Sequence, residues 1–178
     1  VASELLDNGF ITTVIDRQSK PGPKSCSWWA GGMLAPFCES ESAEPSVLKF
    51  GQFAATWWQE KTGLVRQNGS LVIANNRDHA DLQRFAKLTQ NHVSLNQQQV
   101  SGLEPDLDGR FVRGLYYQSE AHLSPRDALN KLRENLLIRG AKFLTQQVDP
   151  QELGKQHLVI DCRGIKAKSS TKGLRGVK

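Results

Sequence analysis

Leu5-Leu6-Asp7-Asn8-Gly9-Phe10-Ile11-Thr12-Thr13-Val14-Ile15-Asp16 holds the order that decides the fold: a helix end, a glycine, a β-branched run and an acid. Residues 1 to 10 read as the last turns of a helix. Asn8-Gly9 is the stop, because glycine enters the left-handed conformation that ends helices at little cost. Ile11 to Asp16 then has the composition of a buried parallel strand with a carboxylate at its carboxyl end. Helix, glycine, strand and acid make the second half of a βαβ unit. The first half, with a GxGxxG turn opening its helix, is expected upstream of Val1.

Working outward, the same order returns late in the chain. Pro125 to Arg139 predicts a long helix with Leu129, Leu132, Leu136 and Leu137 on one face, Ser124 as N-cap and Gly140 as terminator. Ala141 to Val148 and His157 to Asp161 read as strands. Between about residues 40 and 120 the pattern leaves this sheet. Glu44-Pro45 opens a helix through Lys61, with Val47, Leu48, Phe50, Phe53, Ala54, Trp57 and Trp58 as its apolar face and Gly63 as its stop. Leu64 to Arg66 and Ser70 to Ala74 flank Asn68-Gly69, which predicts a hairpin. Asp78 to Gln90 reads as an amphipathic helix carrying Leu82, Phe85, Ala86 and Leu88, Val100 to Leu103 as a helical turn, and Phe111 to Tyr117 as a strand. The expected class is α/β: part of a Rossmann-like sheet from residues 1–40 and 121–178, with an inserted α+β lobe at 41–120.

Composition narrows the function. The chain has 178 residues, 38% hydrophobic and 23% charged, with a formal charge of +5. That supports one substantial core, or a modest core with an appended lobe. The positive excess is dispersed. Lys166, Lys168, Lys172 and Lys178 form its one local concentration, and no basic cluster interleaves with aromatics, so nucleic acid is not the expected partner. Three cysteines, Cys26, Cys38 and Cys162, lie far apart without metal-ligand spacing, which fits free thiols in a reducing cytoplasm and no metal site. No apolar run has the length of a membrane span, and Val1 to Leu6 has no charged leader, so a cytoplasmic chain without membrane attachment is expected.

Two places carry candidate chemistry. Asp16 stands where dinucleotide folds put an acid against a ribose hydroxyl, although a strand-terminal Asp is also a common turn former. Ser25-Cys26-Ser27-Trp28-Trp29-Ala30-Gly31-Gly32-Met33-Leu34-Ala35-Pro36 allows two interpretations. One is a tight turn beside a core aromatic pair. The other is a backbone stripped of side chains so that a flat ligand can approach, with Trp28, Trp29 and Met33 as apolar walls. His79, His92, His122 and His157 lack metal-binding spacing and read as surface or packing residues. Glu104-Pro105-Asp106 reads as a proline-bordered turn, and Trp57-Trp58 and Tyr116-Tyr117 as core and interface aromatics.

The string from Ser27 to Pro36, followed by Cys38-Glu39 and Ser42-Ala43-Glu44, resembles the segment after the second strand in glycine oxidases of thiamine biosynthesis, in the D-amino-acid oxidase superfamily. Leu5 to Phe10, the strand to Asp16, Gly102-Leu103-Glu104-Pro105 and Leu158 to Gly164 follow in the same order. The resemblance implies a FAD-binding domain with an inserted substrate-binding lobe. It places Asp16 on the adenosine ribose and Arg17 at the start of the adjoining loop. Ser27 and the main chain of Ala30, Gly31, Gly32, Met33 and Leu34 fall near the pyrophosphate or isoalloxazine. Val148 meets the adenine, and Cys162, Arg163 and Gly164 form the turn that returns beside the cofactor.

The implied reaction is hydride transfer from an amine α-carbon to flavin N5, giving an imine, with oxygen as acceptor and hydrogen peroxide as product. The substrate implied is a small amino acid or amine resembling glycine. The family's substrate-carboxylate arginine and aromatic companion would follow Lys178, so catalytic residues are not assignable here. Truncation at both ends is expected, and loss of the first strand would weaken FAD binding by this stretch alone. Competing interpretations are a non-catalytic fragment and a different FAD or NAD enzyme on the same fold. Exposed aromatics permit a homo-oligomer.

Overall fold

A computed structural model describes residues 1–155 and 157–168. In chain order the elements are α1 (Ala2–Asp7), β1 (Thr13–Asp16), a 3-10 turn (Cys26–Trp29), β2 (Met33–Leu34), α2 (Pro36–Glu39), α3 (Pro45–Gly51) and α4 (Ala54–Thr62). There follow β3 (Ser70–Ile73), α5 (His79–Leu88), β4 (Val93–Asn96), α6 (Gln97–Leu103), β5 (Arg113–Tyr117), β6 (Ala121–His122), α7 (Pro125–Ile138), β7 (Lys142–Thr145) and α8 (Pro150–Leu153). Short 3-10 turns cover Asn76–Asp78, Pro105–Leu107 and Gly164–Ala167. Lys172 and Lys178, named above for their charge, lie outside the described residues.

The chain forms two compact units, one from residues 1–19 and the described residues from 140 onward, the other from 20–139. Sequence patterning divides the chain near residues 40 and 120 instead. By contact, residues 20–40 and α7 group with the inserted elements, α2 packing on α3 and α7 on α4, while β2 pairs with β6 and the Cys26–Trp29 turn rests on α7.

In the first unit, α1 ends at Asn8, whose amide donates to Glu4 O, and Gly9 follows at φ +79°. β1 and β7 pair in parallel, Thr13 opposite Lys142 through Asp16 opposite Thr145. The expected strand at 157–161 is not formed. A strand exists through its ladder, and among the described residues no strand pairs with 157–161; Leu158 is 84% exposed.

The second unit holds the core. β3, β5 and β4 form an antiparallel sheet with β5 in the centre. Ala35, Cys38, Leu82, Leu115 and Tyr117 cluster on it, joined by Phe37, Val72, Ala74, Phe85 and Ala86. Tyr117 is fully buried, and its hydroxyl lies 2.6 Å from the Thr89 hydroxyl, so the phenol's polar end is satisfied inside.

Two sequence expectations fail in this unit, and one strand was not expected. The helix expected through Lys61 is two helices, α3 and α4, broken at Gln52-Phe53. Gly51 at the end of α3 sits against Pro36, where an added Cβ would come within 2.8 Å of the Pro36 Cβ. A poor helix former in a tight contact is where such a helix breaks. Val47, Phe50 and Phe53 consequently remain 43%, 66% and 64% exposed and do not form a buried face.

The Asn68-Gly69 hairpin is also absent, because β3 pairs with β5 and Arg66 bridges His122, 56 residues on. Residues 66–73 run as one antiparallel edge along 114–122, with Gly69 at φ +76° under the Tyr116 ring. β4 was not foreseen at all. It is a four-residue strand entered through Asn91 at φ 62° and followed at once by α6, whose start is a capping box between Asn96 and Gln99.

Candidate functional site

The Cys26–Cys38 segment meets residues 120–126 of the same unit at several points along its length. Arg126, the second residue of α7, places its guanidinium 5.4 Å from the ring centres of both Trp28 and Trp29. The Trp29 indole N–H donates to Pro23 O at 2.9 Å. These contacts fix the tryptophans as a braced surface rather than a core pair, with Trp29 still 65% exposed.

The two glycines that follow do different work. Gly32 lies at φ +77°, and an added Cβ would collide with the Leu123 carbonyl oxygen and come within 2.9 Å of Pro125 Cδ. Its own carbonyl accepts the Leu123 amide at 3.0 Å. Gly32 therefore lets main chain rest on main chain. Gly31 has no positive φ, and nothing lies within 4 Å of where its Cβ would be. The open side of the backbone is at Gly31.

Met33 and Leu34 then pair with His122 and Ala121, leaving Met33 59% exposed. The start of α2 is held by a residue that sequence reading missed. Glu120 is 1% exposed, and its Oε1 accepts the amides of Phe37 at 2.9 Å and Cys38 at 2.8 Å. Burial, and after it the facing Glu120 carboxylate, pushes the Cys38 thiol far above the ordinary range, so it stays a neutral S–H. Burial likewise raises the Tyr117 phenol.

A cleft of about 660 Å³ opens beside Gly31, bordered by Gly63–Arg66, His122–Pro125 and Asp127. Arg66 and His122 exchange backbone hydrogen bonds of 2.8 and 2.9 Å at its wall.

Among the sequence-derived candidates of this unit, Ser27, Ala30, Gly31, Gly32, Met33 and Leu34 are brought into one strip, with Ser27, Ala30, Gly31 and Met33 on its exposed side. The other candidates lie in the first unit. Asp16 ends β1, exposed, with Oδ1 accepting the Gln18 amide at 2.7 Å. Arg17 is exposed beside it. Gln146 N donates to Asp16 O, which puts Asp16 next to the loop that reaches half-buried Val148. Cys162 is an exposed free thiol. Arg163 grips Asp161 with bonds of 2.7 to 3.1 Å, and Gly164 opens the last 3-10 turn at φ +58°. Among the described residues no cluster of acidic, histidine or cysteine side chains could hold a metal, and no helix is long and apolar enough to cross a membrane.

Residues 1–175 match the family model described as FAD dependent oxidoreductase, DAO. The chain belongs to that family. A Rhizobium etli protein with the provisional name thiamine biosynthesis oxidoreductase ThiO is 40% identical over 179 residues, covering 100% of this chain and 54% of the relative. The chain thus spans about half the length of the curated relative it matches.

Two solved structures share the fold. Glycine oxidase from Bacillus cereus ATCC 14579 superposes with a TM-score of 0.61 at 19% identity, over 83% of this chain and 46% of its own. Glycine oxidase from Geobacillus kaustophilus gives 0.63 at 18% identity, over 80% and 42%. With the family match they establish the class expected from sequence: an α/β chain holding part of a Rossmann-like FAD-binding domain. FAD is the cofactor on which the family depends.

The residues fit such a cofactor on structural grounds. A flat ring needs backbone it can approach, and the exposed strip offers that at Gly31, where a side chain would project into open space. Glu120 and Arg126, which build the strip, were not legible from sequence. A lone Glu before Ala121-His122 and an Arg in a helix's first turn look like surface residues until the fold places their partners 83 and 97 positions away.

Proposed function

We propose that this chain supplies part of the flavin site of an amine or amino-acid oxidase whose substrate is a small, glycine-like amine. The observation that carries it is the exposed main-chain strip Gly31–Leu34, braced from behind by residues 120–126 and open at Gly31 beside the cleft. The names of the relatives support it, since two fold neighbours are glycine oxidases and a third, from Chelativorans, is an iminodiacetate oxidase.

In this reading residues 1–40 and 121–178 serve the cofactor and 41–120 the substrate. Asp16 accepts hydrogen bonds from the ribose, with Arg17 at the adjoining loop. Val148 offers main-chain groups to the adenine. Cys162, Arg163 and Gly164 turn the chain beside the cofactor, and Ser27 with the main chain of Ala30–Leu34 passes near the pyrophosphate or the isoalloxazine. When bound, FAD supplies the two-electron chemistry that turns an amine into an imine and passes the electrons to oxygen, giving hydrogen peroxide. The chain's own residues bind and orient. Gly31 leaves room for a ring, Trp28, Trp29 and Met33 exclude water from its edge, and the Leu123–Gly32 hydrogen bond keeps the strip from yielding.

The test uses the intact protein in which this sequence occurs. FAD binding is followed by quenching of flavin fluorescence, and peroxide is measured with glycine, sarcosine and D-alanine. Saturable binding that is lost in Gly31→Phe, with peroxide formed from at least one of the three amines, is the expected result. Absence of FAD binding by the wild-type protein would sink the proposal, and binding without peroxide would sink its substrate part.

A further inference from the structure

Besides the Arg126 guanidinium on Trp28 and Trp29, three contacts hold main chain 31–38 to its support, and one of the three is made by a side chain. The Leu123–Gly32 bond and the two-residue β2–β6 ladder are main-chain contacts, which many sequences could make. The third is the Glu120 carboxylate on the amides of Phe37 and Cys38. A short helix is usually capped locally, by an Asp, Ser or Thr at its N-cap. Here the N-cap is Ala35, which has no capping side chain and is itself buried.

The cap comes instead from a residue 83 positions from Phe37 in sequence, as a carboxylate that is 1% exposed. Its Oε2 has no hydrogen-bond partner among the described residues. Burying a carboxylate this way costs far more than a local hydroxyl cap would. A local cap would stabilise α2 equally well, but it would not tie α2 to β6. The main chain of Glu120 adds to the tie: its carbonyl accepts the Gly69 amide at 3.0 Å, and its amide donates to Tyr117 O at 3.2 Å. One residue thus joins the sheet, the β6 edge and the start of α2, directly after the strip.

We propose that Glu120 is a positioning residue for the cofactor: by holding the Phe37 and Cys38 amides, its carboxylate sets how far main chain 31–34 stands from a bound ring. The inference rests on the flavin reading above. It assigns no chemistry to Glu120 itself, which touches neither the strip's open side nor the cleft lining.

The test compares Glu120→Gln, Glu120→Asp and Val100→Ala in the intact protein, measuring FAD affinity, the visible circular dichroism of bound flavin and the melting temperature. Val100 is 0% exposed, in α6, and packs against Gly114 rather than the strip, so its truncation lowers stability without moving residues 31–38. Glu120→Gln keeps one acceptor oxygen but replaces charge-assisted bonds with neutral ones, and is expected to bind FAD about tenfold more weakly with an altered dichroism band. Glu120→Asp keeps the charge on a shorter arm and is expected to alter the band too, which covers a Gln variant that does not fold. Val100→Ala is expected to melt earlier while keeping affinity and band.

Glu120 variants that track Val100→Ala in affinity and band overturn the inference, as does failure of both Glu120 variants to fold, which would make the residue structural only. Wild-type protein that takes up no FAD overturns the flavin reading and this inference with it, whereas wild-type binding with unaltered Glu120 variants overturns this inference alone.

Discussion

Two of the three sheets among the described residues look alike in sequence and differ in what covers them. β1–β7 and β3–β5–β4 are both built from short runs with β-branched and aromatic residues. In the second, central β5 buries Leu115 to 3% and Tyr117 completely, beneath α5 and the segment around Ala35 and Cys38. In the first, Thr13 and Asp16 are exposed and Leu144 is 45% exposed. Strand composition therefore announces a strand, while burial depends on what the rest of the chain lays over it. The second unit is where main chain and side chains are locked by distant partners. The first is also joined by a long-range ladder, β1 on β7, but its strands stay partly exposed.

The largest expected effect tests that contrast at its tightest point. Gly32 and Gly9 both lie at positive φ, but Gly32 faces the Leu123 carbonyl and Pro125, whereas nothing lies within 4 Å of a Cβ at Gly9. Gly32→Ala is expected to cost at least about 4 kcal/mol, because a backbone atom must move, and Gly9→Ala about 1 kcal/mol of conformational strain alone. Urea unfolding measures both. Equal costs would mean that Leu123 and Gly32 are not packed as described. Gly31→Ala, at negative φ in open space, is expected to change stability by under about 0.5 kcal/mol and to act on ligand binding instead.

Core truncation comes next. Leu115→Ala empties a site enclosed by Tyr117, Leu82 and Cys38 and is expected to cost about 3 kcal/mol. Leu144→Ala, on the uncovered pair, is expected to cost under about 1 kcal/mol. Should Leu144→Ala prove as costly as Leu115→Ala in the intact protein, other residues cover β7 there, and the contrast between the sheets belongs to this stretch alone.

What could be read from sequence follows the same division. Helix ends at Gly9, Gly63 and Gly140 were legible because each needs positive φ, a demand made by local backbone alone. The strand to Asp16 was legible from its β-branched run, and the glycine pair from its composition. The Asn68-Gly69 turn was misplaced because its local signal is right while its pairing is not: β5 and β6 compete for the same edge and win with a longer ladder. α3 and α4 were run together because the contact that breaks them, Gly51 on Pro36, is tertiary. The site divides likewise. The residues that would meet a cofactor announced themselves by composition, but Glu120 and Arg126, which hold them in place, depend on partners that no window of sequence contains.

The smallest effect expected is also the one that probes the exposed side of the comparison. Asp161 and Arg163 form a surface pair in the first unit, with the Arg163 guanidinium and backbone amide both donating to the carboxylate. Those bonds, the guanidinium's first, lower the Asp161 pKa from 3.8 to about 2. A carboxylate depressed in the folded state adds stability above its unfolded pKa and loses it as pH falls through the folded one, so the contribution fades between about 4 and about 2. Because both groups are solvent-exposed, that contribution is small and screened by salt. The informative quantity is the titration midpoint, read from the Asp161 carboxyl carbon by NMR in the intact protein. The wild type is expected near 2, and Arg163→Gln part of the way back to 3.8, since the backbone amide remains. A wild-type midpoint near 3.8 would show that the pair does not persist in solution. If Arg163 turns to a bound cofactor, adding FAD will raise the wild-type midpoint, because the guanidinium cannot serve the carboxylate and the ligand equally.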